Sequence, residues 1–241
     1  MIQRMLTSAL AAGGAAGLLA ALLHFAFIQD DILLAEGYET GALVHFQGVA
    51  ALPQDHSQAA DETAHDEPAV EAEGEVSALQ RNGLTLLFQI VKSVAFGLLL
   101  TAGFATAETY GKRIGAREGL LWGLAGYAAL QIAPALGLPP ELPGALAADL
   151  GARQLWWTGT VLATAAGLGF LAYGRSALTL GLAALLIAAP HLIGAPELEG
   201  FFGAAPPELS GRFTARVLGT ALPVWALLGW LAGRLWESGR A

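Results

Sequence analysis

The chain contains no cysteine. That excludes disulfides, thiolate metal sites and a cysteine nucleophile, and it leaves the redox compartment open. Methionine is nearly as scarce: Met1 and Met5 are the two present, so no methionine ladder for Cu(I) exists. Charge is thin as well. Only 13% of residues are Asp, Glu, Lys or Arg, about half of the roughly 25% ordinary in soluble domains. Neither a phosphate-binding P-loop nor a His-Glu-x-x-His pair appears, so neither ATP hydrolysis through that loop nor zincin chemistry is expected. The chain reads as a non-enzyme with no nucleic-acid partner and no tightly bound cofactor.

Apolar residues take the place of charge. They make up 55% of the chain, with a mean hydropathy of +0.55. Glycine is frequent at 31 residues, which suits close helix packing in lipid, where small residues let backbones approach.

Crossing a bilayer takes about 20 apolar residues, and six runs approach that length: 5–28, 84–107, 119–138, 154–173, 177–195 and 213–233. They are apolar all round, unlike the one-sided helices of soluble proteins. The expected fold is therefore all-α: a polytopic membrane bundle of about six transmembrane helices, forming one domain over 1–241. The tightest connection is Tyr173-Gly174-Arg175-Ser176, which suits an antiparallel hairpin. The first run, at 24 residues, exceeds the roughly 7–15 of a signal-peptide core, so it reads as a retained span.

Lys and Arg placement sets the expected orientation. With the N-terminus inside, the cytoplasmic set is Arg4, Lys112, Arg113, Arg117, Arg175, Arg234 and Arg240. The outer set is Arg81, Arg153, Arg212 and Arg216. Both termini are expected to be cytoplasmic.

One connection is long, 29–83, and it is acidic. Twelve carboxylates stand there against Arg81 alone, a net of −11. Its stretch 54–76 has too few apolar residues to fold by itself. His45, His56 and His65 lie in the same connection. Carboxylates and imidazoles suit divalent ions such as Co²⁺, Ni²⁺ and Zn²⁺, and an acidic segment at an outer mouth concentrates cations. The plain alternative is a solvated linker.

Polar residues near the membrane narrow the choice, because burying them is costly. In this topology the ends of the third, fourth and fifth spans share the outer side. They read Gln131-Ile132-Ala133-Pro134, Asp149-Leu150-Gly151-Ala152-Arg153 and Pro190-His191-Leu192. Proline breaks helical hydrogen bonding, so irregular backbone lining a cavity is expected there. Asp149 either pairs with Arg153 four residues on or caps the fourth span. Trp156 and Trp157 read as an interfacial aromatic belt. His191 and His24, near the outer ends of their spans, are either ligands or hydrogen-bonded packing residues. Lys92 sits about 12 Å inside the second run at about 1.5 Å per residue.

The run from Gly126 through Gln131, Pro134, Pro139, Pro140 and Glu141 to Pro143 resembles the centre of the predicted cobalt transporter subunit CbtA family. So do 148–157 and 190–196, and the first span with its acidic, His-containing connection is similar too. Before the second span this chain has Glu75–Gly83 where family members carry a Trp-Pro-Asp-Gly-type segment. The resemblance implies a subunit of a divalent-metal uptake system in a bacterial inner membrane, with Co²⁺ as cargo and a link to cobalamin synthesis. It also implies a small single-span, His-rich CbtB-type partner. Metal contacts are then expected from His24, His45, Glu141, Asp149 and His191. A non-transporting subunit of a larger membrane complex is the competing class.

Overall fold

The computed structural model describes residues 1–44, 77–198, 200 and 203–239. Helix-start chemistry marks each entry into an apolar run. Ser77 accepts from the Gln80 amide at 3.2 Å and opens α3, Ala78–Thr109. Glu118 accepts from the Gly115 amide at 3.1 Å and opens α4, Ala116–Tyr127. Asp149 accepts from the Ala152 amide at 2.9 Å and opens α6, Leu150–Tyr173. Ser176 and Thr179 cap α7, Ala177–Ile193, reciprocally, and Pro207 begins α8, Pro207–Ser238. Each cap satisfies amides that a helix start leaves without partners.

The first span extends past its apolar run. α1, Ile2–Phe27, breaks at Ile28 and continues as α2, Gln29–Glu39. Together they cover 38 residues, about 57 Å at 1.5 Å per residue, against a hydrocarbon core of about 30 Å. Part of what reads as the acidic connection is therefore helix, and α2 stands beyond the apolar layer. His45 falls outside the described residues, as do His56 and His65.

Four helical lengths are long and apolar enough to cross a membrane: Ile2–Glu39, α3, α6 and α8. The other two apolar runs are different in kind. α7 is apolar but has 17 residues. The third run is broken internally: after α4 comes a π-helical turn, Ala128–Ile132, and then α5, Ala133–Ala135. Pro134 has no amide hydrogen, and its ring crowds the preceding turn. A π turn is a common way to absorb such a break.

Backbone-to-backbone contact holds the helices together. A Cβ on Gly13 would lie 2.5 Å from the Val94 Cα, and one on Gly17 would lie 2.5 Å from the Ile90 Cα, so α1 and α3 touch. Between α4 and α8 the fit is mutual. A Cβ on Gly119 would sit 2.3 Å from the Gly229 oxygen, and one on Gly229 would sit 2.3 Å from the Gly119 oxygen. Gly119/Gly123 and Gly229/Gly233 are small residues four apart on facing helices, the pattern that drives close association in lipid. Phe104, Trp225, Leu228 and Trp236 fill the core beside this seam. Leu18, Leu22, Leu87, Leu99, Leu121 and Leu162 stay exposed, as lipid-facing side chains should.

Candidate membrane chamber

α1, α3 and α8 enclose a cavity of about 220 Å³, room for about seven waters at roughly 30 Å³ each. Much of its wall is apolar, with Phe96, Phe213, Val217, Trp225 and Leu228. Six polar side chains converge on it from four elements. His24 comes from α1; Gln89, Lys92 and Ser93 from α3; Gln131 from the π turn; Thr220 from α8. No carboxylate lines it.

The sequence places these groups by helical period. Gln89, Lys92 and Ser93 are spaced three and four apart, so one face of α3 presents all three. Gln131 faces the cavity from the π turn ahead of Pro134, where irregular backbone lines an internal space. One turn before Pro223, the Leu218 carbonyl receives the Tyr127 hydroxyl at 2.9 Å, fixing the end of α4 against α8.

The buried polar groups are under-used. Gln89 is 8% exposed and Ser93 is 2% exposed. The Gln89 Oε1 is buried with no hydrogen-bond partner among the described residues. Thr220 donates its hydroxyl to the Arg216 carbonyl at 2.7 Å, which leaves its oxygen able only to accept. A buried acceptor without a donor is costly. A cluster of lone pairs facing a wet cavity is suited to a cation or to a ligand that donates hydrogen bonds.

Ionic clusters stand at the two ends of these helices. At one end Asp31, fully buried, ties α2 to α8. Its Oδ1 accepts from Arg212 Nε at 3.0 Å and from Arg216 Nη1 at 2.8 Å, and Arg212 Nη2 lies 2.7 Å away. Its Oδ2 is buried and without a partner among the described residues. Ile28, Ile32, Phe213 and Val217, neighbours of this triad in sequence, line the cavity. The triad thus roofs the chamber. At the opposite end Glu108 pairs with Arg4 and accepts from Trp236 Nε1 at 2.9 Å. The Arg4 guanidinium stacks 3.7 Å over the Trp236 ring. This cluster joins α1, α3 and α8.

The residues singled out in the sequence fall in separate places. His24 lines the chamber. Glu141 pairs with Arg153 at 2.6 Å between α5 and α6, beside an open depression of about 560 Å³ that Leu138, Arg153 and Trp157 help to line. Asp149 caps α6 rather than pairing with Arg153. His191 lies on α7, edge-on to Trp156 with ring centroids 6.2 Å apart, while Trp156 Nε1 donates to the Pro190 carbonyl at 3.1 Å. No three His, Asp or Glu side chains among the described residues are grouped to hold a metal ion. Sequence reading did not single out Gln89, Ser93, Asp31 or Glu108. Uncharged polar residues at three-to-four spacing inside an apolar run were the available signal for the α3 face.

A helical bundle with apolar outer faces and polar groups gathered on an internal cavity defines a polytopic membrane protein with a solute chamber. Residues 2–237 match the family described as probable cobalt transporter subunit (CbtA), and the chain belongs to that family. No curated protein and no solved structure matches it.

Proposed function

We propose that the chain is the membrane subunit through which divalent cobalt enters a bacterial cell, crossing the inner membrane by way of the chamber. The carrying observation is the buried, donorless Gln89 Oε1 facing the cavity beside His24. Imidazole nitrogen with amide and hydroxyl oxygens is a borderline-to-hard, uncharged set. Such a set suits a first-row dication in transit, since conduction needs binding weak enough to release. Glu141, Asp149 and His191, with His45 of the acidic connection, are the outer groups we assign to first capture. The −11 of that connection would raise the local cation concentration.

Charge pairing supports an orientation with both termini cytoplasmic. At the Asp31 end every arginine of the outer set lies within 4.0 Å of a carboxylate: Arg81 with Glu36, Arg153 with Glu141, Arg212 and Arg216 with Asp31. At the Arg4 end Lys112, Arg113, Arg117, Arg175 and Arg234 have no such partner among the described residues. Unmatched basic residues belong on the cytoplasmic side. Energy would come from another subunit or from the cobalt gradient, and a small single-span, His-rich CbtB-type subunit is the partner we expect. The cobalt would serve cobalamin synthesis.

Cobalt uptake by cells dependent on this protein tests the reading. His24→Ala with Gln89→Leu should lower the initial rate at least tenfold at equal protein level. His191→Ala with Asp149→Asn should lower it several-fold at low cobalt. Unchanged uptake in the first pair would overturn the chamber route. Purification as a stable part of a larger complex that neither binds nor moves cobalt would favour a supporting subunit instead.

A further inference from the structure

The chamber's polar groups do not match in kind. His24, Gln89, Ser93 and Gln131 offer lone pairs, whereas Lys92 brings a positive charge to the same wall. Its ammonium is within electrostatic reach of His24. Among the described residues no carboxylate lies within 4.0 Å of it. The contact it does make is with the Phe88 ring, 5.6 Å from Nζ to centroid, a weak cation–π attraction.

An ammonium deep in a membrane helix and without an acid is expensive, and such residues mark ion pathways. Its position also bears on release. A dication held by His24 and Gln89 feels the repulsion of any fixed positive charge nearby, and that repulsion is strong where the dielectric is low. Lysine carries its charge on a flexible four-carbon stem, so the head can move towards the lone pairs or away from them. Arginine at this position would keep the charge and the reach.

We propose that Lys92 is a tethered cation competing with the transported metal for the chamber's lone pairs, so that the ion is held weakly and released quickly. This rests on the chamber being the cobalt site. Lys92 is a positioning residue here: it touches no metal and acts through charge on the groups that do.

The test uses full-length protein in detergent with cobalt chloride, comparing wild type, Lys92→Met and Lys92→Arg. Equilibrium dialysis gives affinity, and a chelator chase followed by stopped flow gives the release rate. Lys92→Met should bind cobalt at least tenfold more tightly and release it correspondingly more slowly. In cells its uptake should show a lower KM together with a lower maximal rate. Lys92→Arg should restore wild-type release. A merely structural lysine predicts weaker binding, no KM-against-rate split and no rescue by arginine. If Lys92→Met binds no more tightly while His24→Ala with Gln89→Leu abolishes wild-type binding, the tethered cation is wrong and the cobalt chamber stands. If none of the three proteins binds cobalt, both fall.

Discussion

The two ionic clusters at the ends of α1, α3 and α8 are built on opposite plans. Glu108 uses both carboxylate oxygens, one on Arg4 and one on the Trp236 indole. The side chains of Arg4 and Glu108 are 18% and 21% exposed, so the charges are matched one to one and largely shielded. Asp31 places all its contacts on Oδ1 and leaves Oδ2 bare. Two arginines serve that single acid, and they are 49% and 37% exposed. One cluster is closed and neutral. The other is open and carries an excess positive charge. A membrane protein that must stay shut at one face while admitting solute at the other would use such unequal closures. The comparison teaches that α2, which the break at Ile28 separates from α1, is the less firmly held element.

Three substitutions test this contrast. Glu108→Ala should do the most damage, since it strands a shielded guanidinium and an indole donor at once. Removing one partner of a buried pair costs about 3 kcal/mol or more, to be read as lost resistance to denaturation by SDS. Asp31→Asn should cost about 1–2 kcal/mol, because its half-exposed arginines can turn to water and an amide oxygen still accepts one hydrogen bond. If Asp31→Asn proved as damaging as Glu108→Ala, the two ends would be equivalent clamps. Arg153→Gln, which breaks a surface pair with Glu141, should shift stability by under about 1 kcal/mol, and less still in high salt. A larger loss there would make the α5–α6 connection part of the load-carrying frame.

Much of this was legible in the sequence. The apolar runs located the helices, and Pro134 announced the irregular backbone that brings Gln131 to the chamber. The Asp31 triad was not legible in the same way. Asp31 reads as one acid among twelve in the acidic connection, because apolar run length ends the first span at Ile28. The spacing of Ile28, Ile32 and Ala35 carries the missed signal: it is the buried face of a helix that continues outward. Arg212 and Arg216, four apart, were counted for orientation rather than as a pair gripping one acid. For Arg153 two carboxylates were available. The nearer one, Asp149, is committed to the Ala152 amide, so Glu141 takes the pairing from twelve residues upstream. Helix pairing was the least readable layer. Spans that are apolar on every side give no sign of which neighbour they will meet, and Gln89 has meaning only once α1 and α8 are beside it.

The π turn at Ala128–Ile132 has a consequence for chain length. Such a turn accommodates one residue more than the α-helix around it. Deleting a single residue within it would let the segment relax into regular helix, and everything beyond would rotate about 100° around the axis. Gln131 would leave the cavity and the Pro134 surface would face a different neighbour. The chamber therefore depends on a count as well as on a composition: a variant with every polar residue kept, but one residue fewer here, would present them in the wrong directions.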